Sequence, residues 1–188
     1  MEMVSKEWII NPEISEGAII NDHDTGFRDD YLVLHCLLRI YNPKTFFEIG
    51  THMGLGTLII KNSIPDSTVY SLDLADGEKS KQYPGEEHIG EKCKLEYVQL
   101  LGDSLTFDFS QYPCEGYYID GEHDYEHVKR ETDEILKLNP KIVVYHDSDM
   151  PEVMKGILDG LELAKNTESY EIYRIVETRV SFILKGDL

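Results

Sequence analysis

The sequence has little cysteine, few basic residues and no long apolar run. Its 188 residues include three cysteines, Cys36, Cys93 and Cys114, which are widely spaced and form no Cys-x-x-Cys pair. We therefore expect three unpaired thiols rather than a disulfide framework or a zinc site. No stretch approaches the roughly 20 apolar residues of a membrane helix, and the first residues lack the apolar core of a signal peptide. These absences predict a cytoplasmic protein that does not bind membranes.

Basic residues are outnumbered by acidic ones. Lys and Arg total 18 and Asp and Glu total 36, which gives a formal net charge of −18. Such a field repels phosphate backbones, so we expect a small-molecule partner and no nucleic acid. The length fits one domain, predicted over residues 29–188 after an irregular arm or lid over residues 1–28. The sequence leaves open whether the chain forms a homo-oligomer.

Short β-rich runs alternate with helical runs along the chain. The predicted strands are Thr45–Ile49, Thr68–Leu72, Leu95–Leu101, Gly116–Ile119 and Ile142–Tyr145. Helical spacing covers residues 29–41, 55–62, 125–138 and 151–165, and residues 75–92 read as a polar loop. This alternation predicts βαβ units and a parallel sheet. Two further β-rich runs, Tyr170–Val176 and Val180–Lys185, predict a C-terminal antiparallel β-hairpin.

Polar residues cluster where the predicted strands end. These strand-end residues are Glu48 with Gly50, Asp73, Asp103, Asp120, and His146 with Asp147. Ligands of open α/β sheets bind outside the carboxyl ends of the strands. The sequence therefore predicts a ligand site at this edge of the sheet.

A glycine-rich turn follows the first of these strands. It has the form E-x-G-x-x-x-G-x-G, with Glu48, Gly50, Gly54 and Gly56 at the fixed positions. Glycines permit a tight turn and let a ligand approach bare backbone, and the next helix offers free N–H groups. Nicotinamide-dependent enzymes carry G-x-G-x-x-G in this place. Here the spacing is longer, and the preceding acid suits a cationic ligand group such as an amino group.

Acidic residues at the next two strand ends fit a nucleoside. Asp73 follows the second strand, where an acid can accept both hydroxyls of a ribose; the alternative is a solvated strand-end aspartate. Asp103 and Ser104 follow the third strand and could meet an adenine ring, although Asp103 could instead form an Asx-type turn.

These segments resemble the class I S-adenosylmethionine-dependent methyltransferases over residues 30–185. The resemblance rests on FFEIGTHMGLGT, YSLDL, GDS and the hairpin tail. More narrowly, DGEHDY at 120–125 and HD at 146–147 look like the methyltransferase-24 type of domain. The sequence departs from that type at Asn139-Pro140-Lys141, where such domains often have Pro-Gly-Gly. The resemblance implies an α/β, Rossmann-like three-layer sandwich: a mostly parallel seven-stranded sheet with the C-terminal antiparallel hairpin.

The resemblance also assigns roles to residues around S-adenosyl-L-methionine. The residues expected around its methionine part are Glu48, Gly50, Gly54 and Gly56. Asp73 would hold its ribose, and Asp103 with Ser104 its adenine. Further cofactor contacts are expected from Thr51, His52 and Leu74.

On the acceptor side, the resemblance implies His123 as a general base and Asp120 as the group that positions substrate or metal. Related sugar and macrolide O-methyltransferases bind Mg²⁺ through an acid here, and Asp120 with Asp147 would be its ligands. His123 could instead cap the following helix or be solvated.

The leading hypothesis is O-methylation of a small hydroxylated molecule, with a sugar as one candidate. No Asn-Pro-Pro-Tyr-like element follows the fourth strand, which argues against adenine- and glutamine-type N-methyltransferases. The alternatives are an S-adenosylmethionine-binding protein without catalysis and a nicotinamide-dependent oxidoreductase.

Overall fold

Eight strands form one mixed sheet in the computed structural model of the chain, which describes residues 1–15, 27–75, 89–164 and 169–186. The strands are β1 (Glu2–Ser5), β2 (Thr45–Ile49), β3 (Thr68–Asp73), β4 (Val98–Leu101), β5 (Gly116–Ile119), β6 (Ile142–Tyr145), β7 (Tyr170–Val176) and β8 (Ser181–Lys185). Their order across the sheet is β1-β7-β8-β6-β5-β2-β3-β4. Strand β8 runs antiparallel to β6 and β7, whereas the other neighbours are parallel. The predicted parallel sheet with its C-terminal hairpin is therefore confirmed.

Helices cover both faces of the sheet. They are α1 (Lys6–Ile9), α2 (Pro12–Ser15), α3 (Arg28–Tyr41), α4 (Leu55–Ser63), α5 (Tyr125–Leu136) and α6 (Pro151–Ala164), with a short 3-10 helix at Phe109–Gln111. Apolar residues of α3 and α4 form a core with one face of the sheet. Those of α5 and α6 form a second core with the other face. This is the predicted three-layer sandwich.

The central strand β2 shows how alternation divides its residues between the two cores. Successive side chains of a strand point to opposite faces. Phe47 and Ile49 belong to the core beneath α5 and α6, whereas Phe46 belongs to the core beneath α3 and α4. Glu48, two residues after Phe46, therefore shares the α3 and α4 face.

One strand was not predicted. Strand β1 pairs in parallel with β7, with Glu2 opposite Tyr173 and Ser5 opposite Val176. The sheet consequently has eight strands instead of seven, and the expected irregular structure is wrong for Glu2–Ser5. Residues 16–26 of the proposed arm and residues 76–88 of the predicted loop lie outside the described residues, so an arm or lid over 1–28 stays a prediction.

Two further observations concern the cysteines and the helices. The three cysteines are buried and unpaired, as predicted. Among the helices of the described ranges, none combines the length and apolar character of a membrane span.

Candidate functional site

A cavity of about 460 Å³ opens at the carboxyl ends of β2, β3, β5 and β6. This volume lies within the range of small-molecule sites. Every predicted site residue except Glu48 and Gly54 lines it: Gly50, Thr51, His52, Gly56, Asp73, Leu74, Asp103, Ser104, Asp120, His123 and Asp147. We call the part around Gly50, Asp73 and Asp103 the turn end. The part around Asp120, His123, His146 and Asp147 is the histidine end.

Gly50 joins the two ends of the cavity. Its backbone has φ +96°, a conformation that side chains other than hydrogen disfavour. A β-carbon on Gly50 would lie 2.0 Å from the carbonyl oxygen of Asp120. Because β2 and β5 are neighbours in the sheet, the chain after β2 can pass directly against the chain after β5 only if this position is glycine.

Gly54 supports the turn from behind and does not line the cavity as the described residues form it. It precedes α4 with φ +86°, and a β-carbon would lie 2.7 Å from the Cα atom of Gly90. Gly54 thus allows close backbone packing, and its contact with the ligand stays a prediction.

Glu48 lies behind the glycine turn. Its side chain is fully buried beneath the turn and does not belong to the cavity lining formed by the described residues. Oε2 accepts hydrogen bonds of 2.5 Å from the hydroxyls of Thr57 and Ser71. Burial, opposed by these two hydrogen bonds, raises the pKa of Glu48 to about 8. A neutral acid at this position would stabilise the turn, and the contact of Glu48 with a cationic ligand group stays a prediction.

Asp73 is held at the cavity wall by two backbone groups. The N–H of His52 donates to Oδ2 at 2.6 Å, and the N–H of Leu74 donates to Oδ1 at 2.7 Å. A carboxylate has about four lone-pair sites, so both oxygens can accept further hydrogen bonds from the cavity. The glycine turn and the end of β3 are thereby fixed to each other.

Asp103 and Ser104 complete the turn end. The N–H of Leu105 donates to Asp103 Oδ1 at 2.8 Å, so Asp103 forms the Asx-type turn that was the alternative expectation, and it still lines the cavity. His127, which sequence reasoning passed over, lies beside it with Nε2 3.8 Å from Asp103 Oδ1. The available signal is its place in the first turn of α5, just after the DGEHDY segment.

Three side chains meet at the histidine end. His146 Nδ1 lies 3.2 Å from Asp120 Oδ1 and 2.8 Å from Asp147 Oδ2. The other oxygen of Asp120 accepts a 3.0 Å hydrogen bond from the Tyr118 hydroxyl. Asp120, His146 and Asp147 each offer one ligand atom, and these atoms lie within 4.8 Å of one another. This donor set fits a divalent cation, with His146 added to the two predicted carboxylates.

His123 faces the same two carboxylates. Its Nε2 lies 3.1 Å from Asp147 Oδ2 and 3.9 Å from Asp120 Oδ1. The expectation that His123 might cap the helix is wrong, because Asp124 is the N-cap of α5 and accepts from the N–H of His127 at 3.0 Å. His123 is therefore free to point into the cavity.

The charges of the histidine end compensate one another. Asp120 and then Asp147 raise the pKa of His123 to about 10. Burial lowers the pKa of His146, but Asp120, Asp147 and Asp30 outweigh it and raise that pKa to about 12. Burial likewise opposes ionisation of Asp147, yet His123 and His146 hold its pKa well below the usual range. These shifts favour ionised acids and protonated imidazoles at neutral pH.

Further residues reach this end from distant parts of the chain. Arg179 Nη1 donates to Asp147 Oδ1 at 3.2 Å, and its guanidinium lies 4.7 Å from the centre of the Phe27 ring. Phe27 and Tyr31 line the cavity beside His146. No local pattern marks these residues, because they meet only through the fold.

Comparison with known proteins supports the fold. Neither protein-family models nor curated protein sequences gave a match. Solved structures, in contrast, gave matches. An O-methyltransferase from Bacillus cereus in complex with SAH matches with a TM-score of 0.59 and 16% identity, over 96% of this chain and 90% of that chain. The O-methyltransferase TomG from Streptomyces achromogenes, in complex with SAM, matches with a TM-score of 0.53 and 16% identity, over 94% and 91%.

A third match carries a metal. MycE from the mycinamycin biosynthetic pathway, in complex with Mg, SAH and mycinamycin VI, has a TM-score of 0.53 and 18% identity, over 80% of this chain and 47% of that chain. All three are more distant than 25% identity, so the likeness concerns the fold. The chain therefore shares the Rossmann-like fold of these O-methyltransferase structures.

Proposed function

We propose that the chain is an S-adenosylmethionine-dependent O-methyltransferase for a small hydroxylated acceptor. One observation carries the proposal: a single cavity has a glycine turn with an acid at one end and two histidines among carboxylates at the other. The first end suits a nucleoside with an amino-acid part, and the second suits a hydroxyl that must lose its proton.

The turn end fits the cofactor. Asp73 has accepting capacity left on both oxygens after its two backbone hydrogen bonds, and it would bind the ribose hydroxyls next to Leu74. Gly50, Thr51 and His52 would border the methionine part, and Asp103 with Ser104 would border the adenine. When bound, S-adenosylmethionine supplies a methyl group on a sulfonium, which is already a good leaving group.

The histidine end would prepare the acceptor. Because the leaving group is good, the main tasks of the residues are alignment and removal of the hydroxyl proton. Asp120 would orient the hydroxyl and His123 would take its proton. His123 must be neutral to do so, whereas Asp120 and Asp147 keep it protonated at neutral pH in the ligand-free protein. A divalent cation held by Asp120 and Asp147 would relieve that charge and lower the hydroxyl pKa.

The net charge of the whole chain restricts the acceptor. Asp120, Glu122 and Asp147 line the histidine end, and the whole chain carries a net charge of −18. An anionic acceptor would be repelled. We therefore propose a neutral hydroxylated molecule, of which a sugar is one example, packed beside Phe27 and Tyr31.

The test is transfer of an isotope-labelled methyl group from S-adenosylmethionine to a panel of neutral polyols, glycosides and phenols, with and without Mg²⁺ or Mn²⁺. His123→Gln should reduce turnover by about 10²- to 10⁴-fold, the usual contribution of a general base, and leave affinity for S-adenosylhomocysteine unchanged. Binding of S-adenosylhomocysteine without any transfer would favour a binding protein without catalysis. Equal turnover in the variant would remove His123 from the mechanism.

A further inference from the structure

Asp30 lies behind the histidine end and uses both of its oxygens there. It belongs to the first turn of α3 and is only 5% exposed. Oδ2 lies 3.2 Å from His146 Nε2, and Oδ1 accepts a 2.9 Å hydrogen bond from the N–H of Arg179. A buried carboxylate is thus fixed on the far side of His146 from Asp120 and Asp147.

The imidazole of His146 is held in one plane between these groups. The Tyr31 ring is stacked on it at 6.4 Å with an interplanar angle of 10°, and the Phe27 ring lies 5.6 Å away. His146 is 6% exposed. With the ring plane fixed, Nε2 meets Asp30 while Nδ1 meets Asp120 and Asp147.

The hydrogen bond from Nε2–H determines whether Nδ1 can bind a metal ion. A histidine that binds a metal through one nitrogen commonly donates the N–H of the other to a carboxylate, which fixes the tautomer and the ring orientation. Asp30 occupies that carboxylate position. When Nδ1 loses its own proton, the remaining proton stays at Nε2 beside Asp30, and the lone pair of Nδ1 points between Asp120 and Asp147, where a cation would take the place of the lost proton.

We propose that Asp30 is a positioning residue that presents His146 Nδ1, together with Asp120 and Asp147, as the nitrogen ligand of a divalent cation. The proposal rests on the proposed function for the role of that cation. First-row transition ions, of which Mn²⁺ is the weakest binder, accept an imidazole nitrogen more readily than Mg²⁺, which prefers oxygen ligands. The site should therefore bind Mn²⁺ more tightly than Mg²⁺.

The variant Asp30→Asn separates positioning from mere support. The amide oxygen of asparagine can still accept the N–H of Arg179, but its NH₂ group donates toward Nε2 and moves the imidazole proton to Nδ1. Asp29→Asn is the matched control, because Asp29 is the preceding residue of α3 and pairs with Lys6 at 2.8 Å instead of His146. Asp30→Glu tests rescue by a second carboxylate.

The experiment is calorimetric titration of each purified full-length protein with Mn²⁺ and with Mg²⁺, followed by titration with S-adenosylhomocysteine. We expect Asp30→Asn to weaken Mn²⁺ binding by about 10- to 100-fold, Asp29→Asn to leave it within twofold and Asp30→Glu to restore part of it. Nitrogen NMR of histidine-labelled protein with Zn²⁺ should show His146 bound through Nδ1 in the wild type and not in Asp30→Asn.

Three results would overturn the proposal: no Mn²⁺ binding by the wild type, unchanged Mn²⁺ affinity in Asp30→Asn, or an equal loss in Asp29→Asn. S-adenosylhomocysteine affinity reports separately on the proposed function. If it is retained while Mn²⁺ does not bind, the positioning role fails and the cofactor assignment stands. If Mn²⁺ binds as expected and S-adenosylhomocysteine does not, the proposed function fails and the role of Asp30 stands.

Discussion

Two buried acids, one behind the turn end of the cavity and one at its histidine end, have pKa values shifted in opposite directions. At the turn end Glu48 has only hydroxyl partners, and burial raises its pKa to about 8. At the histidine end Asp147 is buried less completely, and His123 and His146 hold its pKa well below the usual range despite that burial. Loss of solvent acts on both acids, so the charge of the neighbour decides which one is ionised. Close backbone packing therefore characterises the turn end, and paired charges characterise the histidine end.

The largest effect is expected from replacing Gly50, the residue that joins the two ends of the cavity. Gly50→Ala places a methyl group 2.0 Å from the carbonyl oxygen of Asp120 in a backbone with φ +96°. We expect a loss of roughly 3–5 kcal/mol in unfolding free energy, from backbone strain and overpacking together. Chemical denaturation measures it.

Gly102→Ala is the control for that variant. Gly102 also lines the cavity, but its β-carbon would make an ordinary contact of 3.4 Å with Phe107. A similar loss of stability in both variants would show that the close approach at Gly50 is not special.

Glu48→Gln tests whether the acid beneath the turn is neutral. A folded-state pKa of about 8 lies above the unfolded value, so the folded protein holds its proton longer and wild-type stability falls as the pH rises from about 4.5 through 8. Gln does not titrate. The stability of Glu48→Gln relative to wild type should therefore improve by roughly 2–4 kcal/mol between pH 5 and pH 8.

Glu96→Gln provides the comparison for that pH series, because Glu96 is exposed. Denaturation curves of the three proteins at several pH values are sufficient. A pH-independent difference between Glu48→Gln and wild type would mean that Glu48 is ionised, and the contrast between the two ends would be lost.

The variant Asp73→Asn changes an acid of the turn end and no residue of the histidine end. It removes one charged acceptor at the cavity wall, and hydrogen bonds to charged groups contribute about 1.5–3 kcal/mol. Affinity for S-adenosylhomocysteine should fall by about 10- to 100-fold. Asp66→Asn, in the exposed turn before β3, should bind as the wild type does. Equal affinity in both variants would place the nucleoside elsewhere.

Arg179→Met should give the smallest effect. Its guanidinium pairs with Asp147, but the side chain is 44% exposed, so the change in stability should stay within about 1 kcal/mol. The backbone N–H that binds Asp30 is unaffected. A much larger loss in thermal or chemical unfolding would show that the arginine charge, rather than the two histidines, balances the acids.

Local patterns predicted most of the fold and the turn end. The run from Thr45 through Gly56 is continuous in sequence, so a strand, a turn and a helix start can be recognised together. The alternation of side chains within β2 also indicates which face Glu48 lies on, because Phe47 and Ile49 face one core and Phe46 faces the other. That signal would have placed Glu48 behind the turn.

The distant partners of the histidine end, and strand β1, could not be predicted in the same way. His146 meets Asp30 across 116 positions of sequence, and strand β1 pairs with β7 near the opposite end of the chain. Glu2–Ser5 is too short to show periodicity of its own. Contacts of this kind arise from topology, and no window of the sequence contains both partners.

The most direct test of the account is calorimetric titration of the wild-type protein with S-adenosylhomocysteine, with His123→Gln and Asp73→Asn in parallel. We expect micromolar binding to the wild type, the same affinity in His123→Gln and a clear loss in Asp73→Asn, because the cofactor would occupy the turn end. Absence of binding to the folded wild type would contradict it, and so would a loss of affinity confined to His123→Gln.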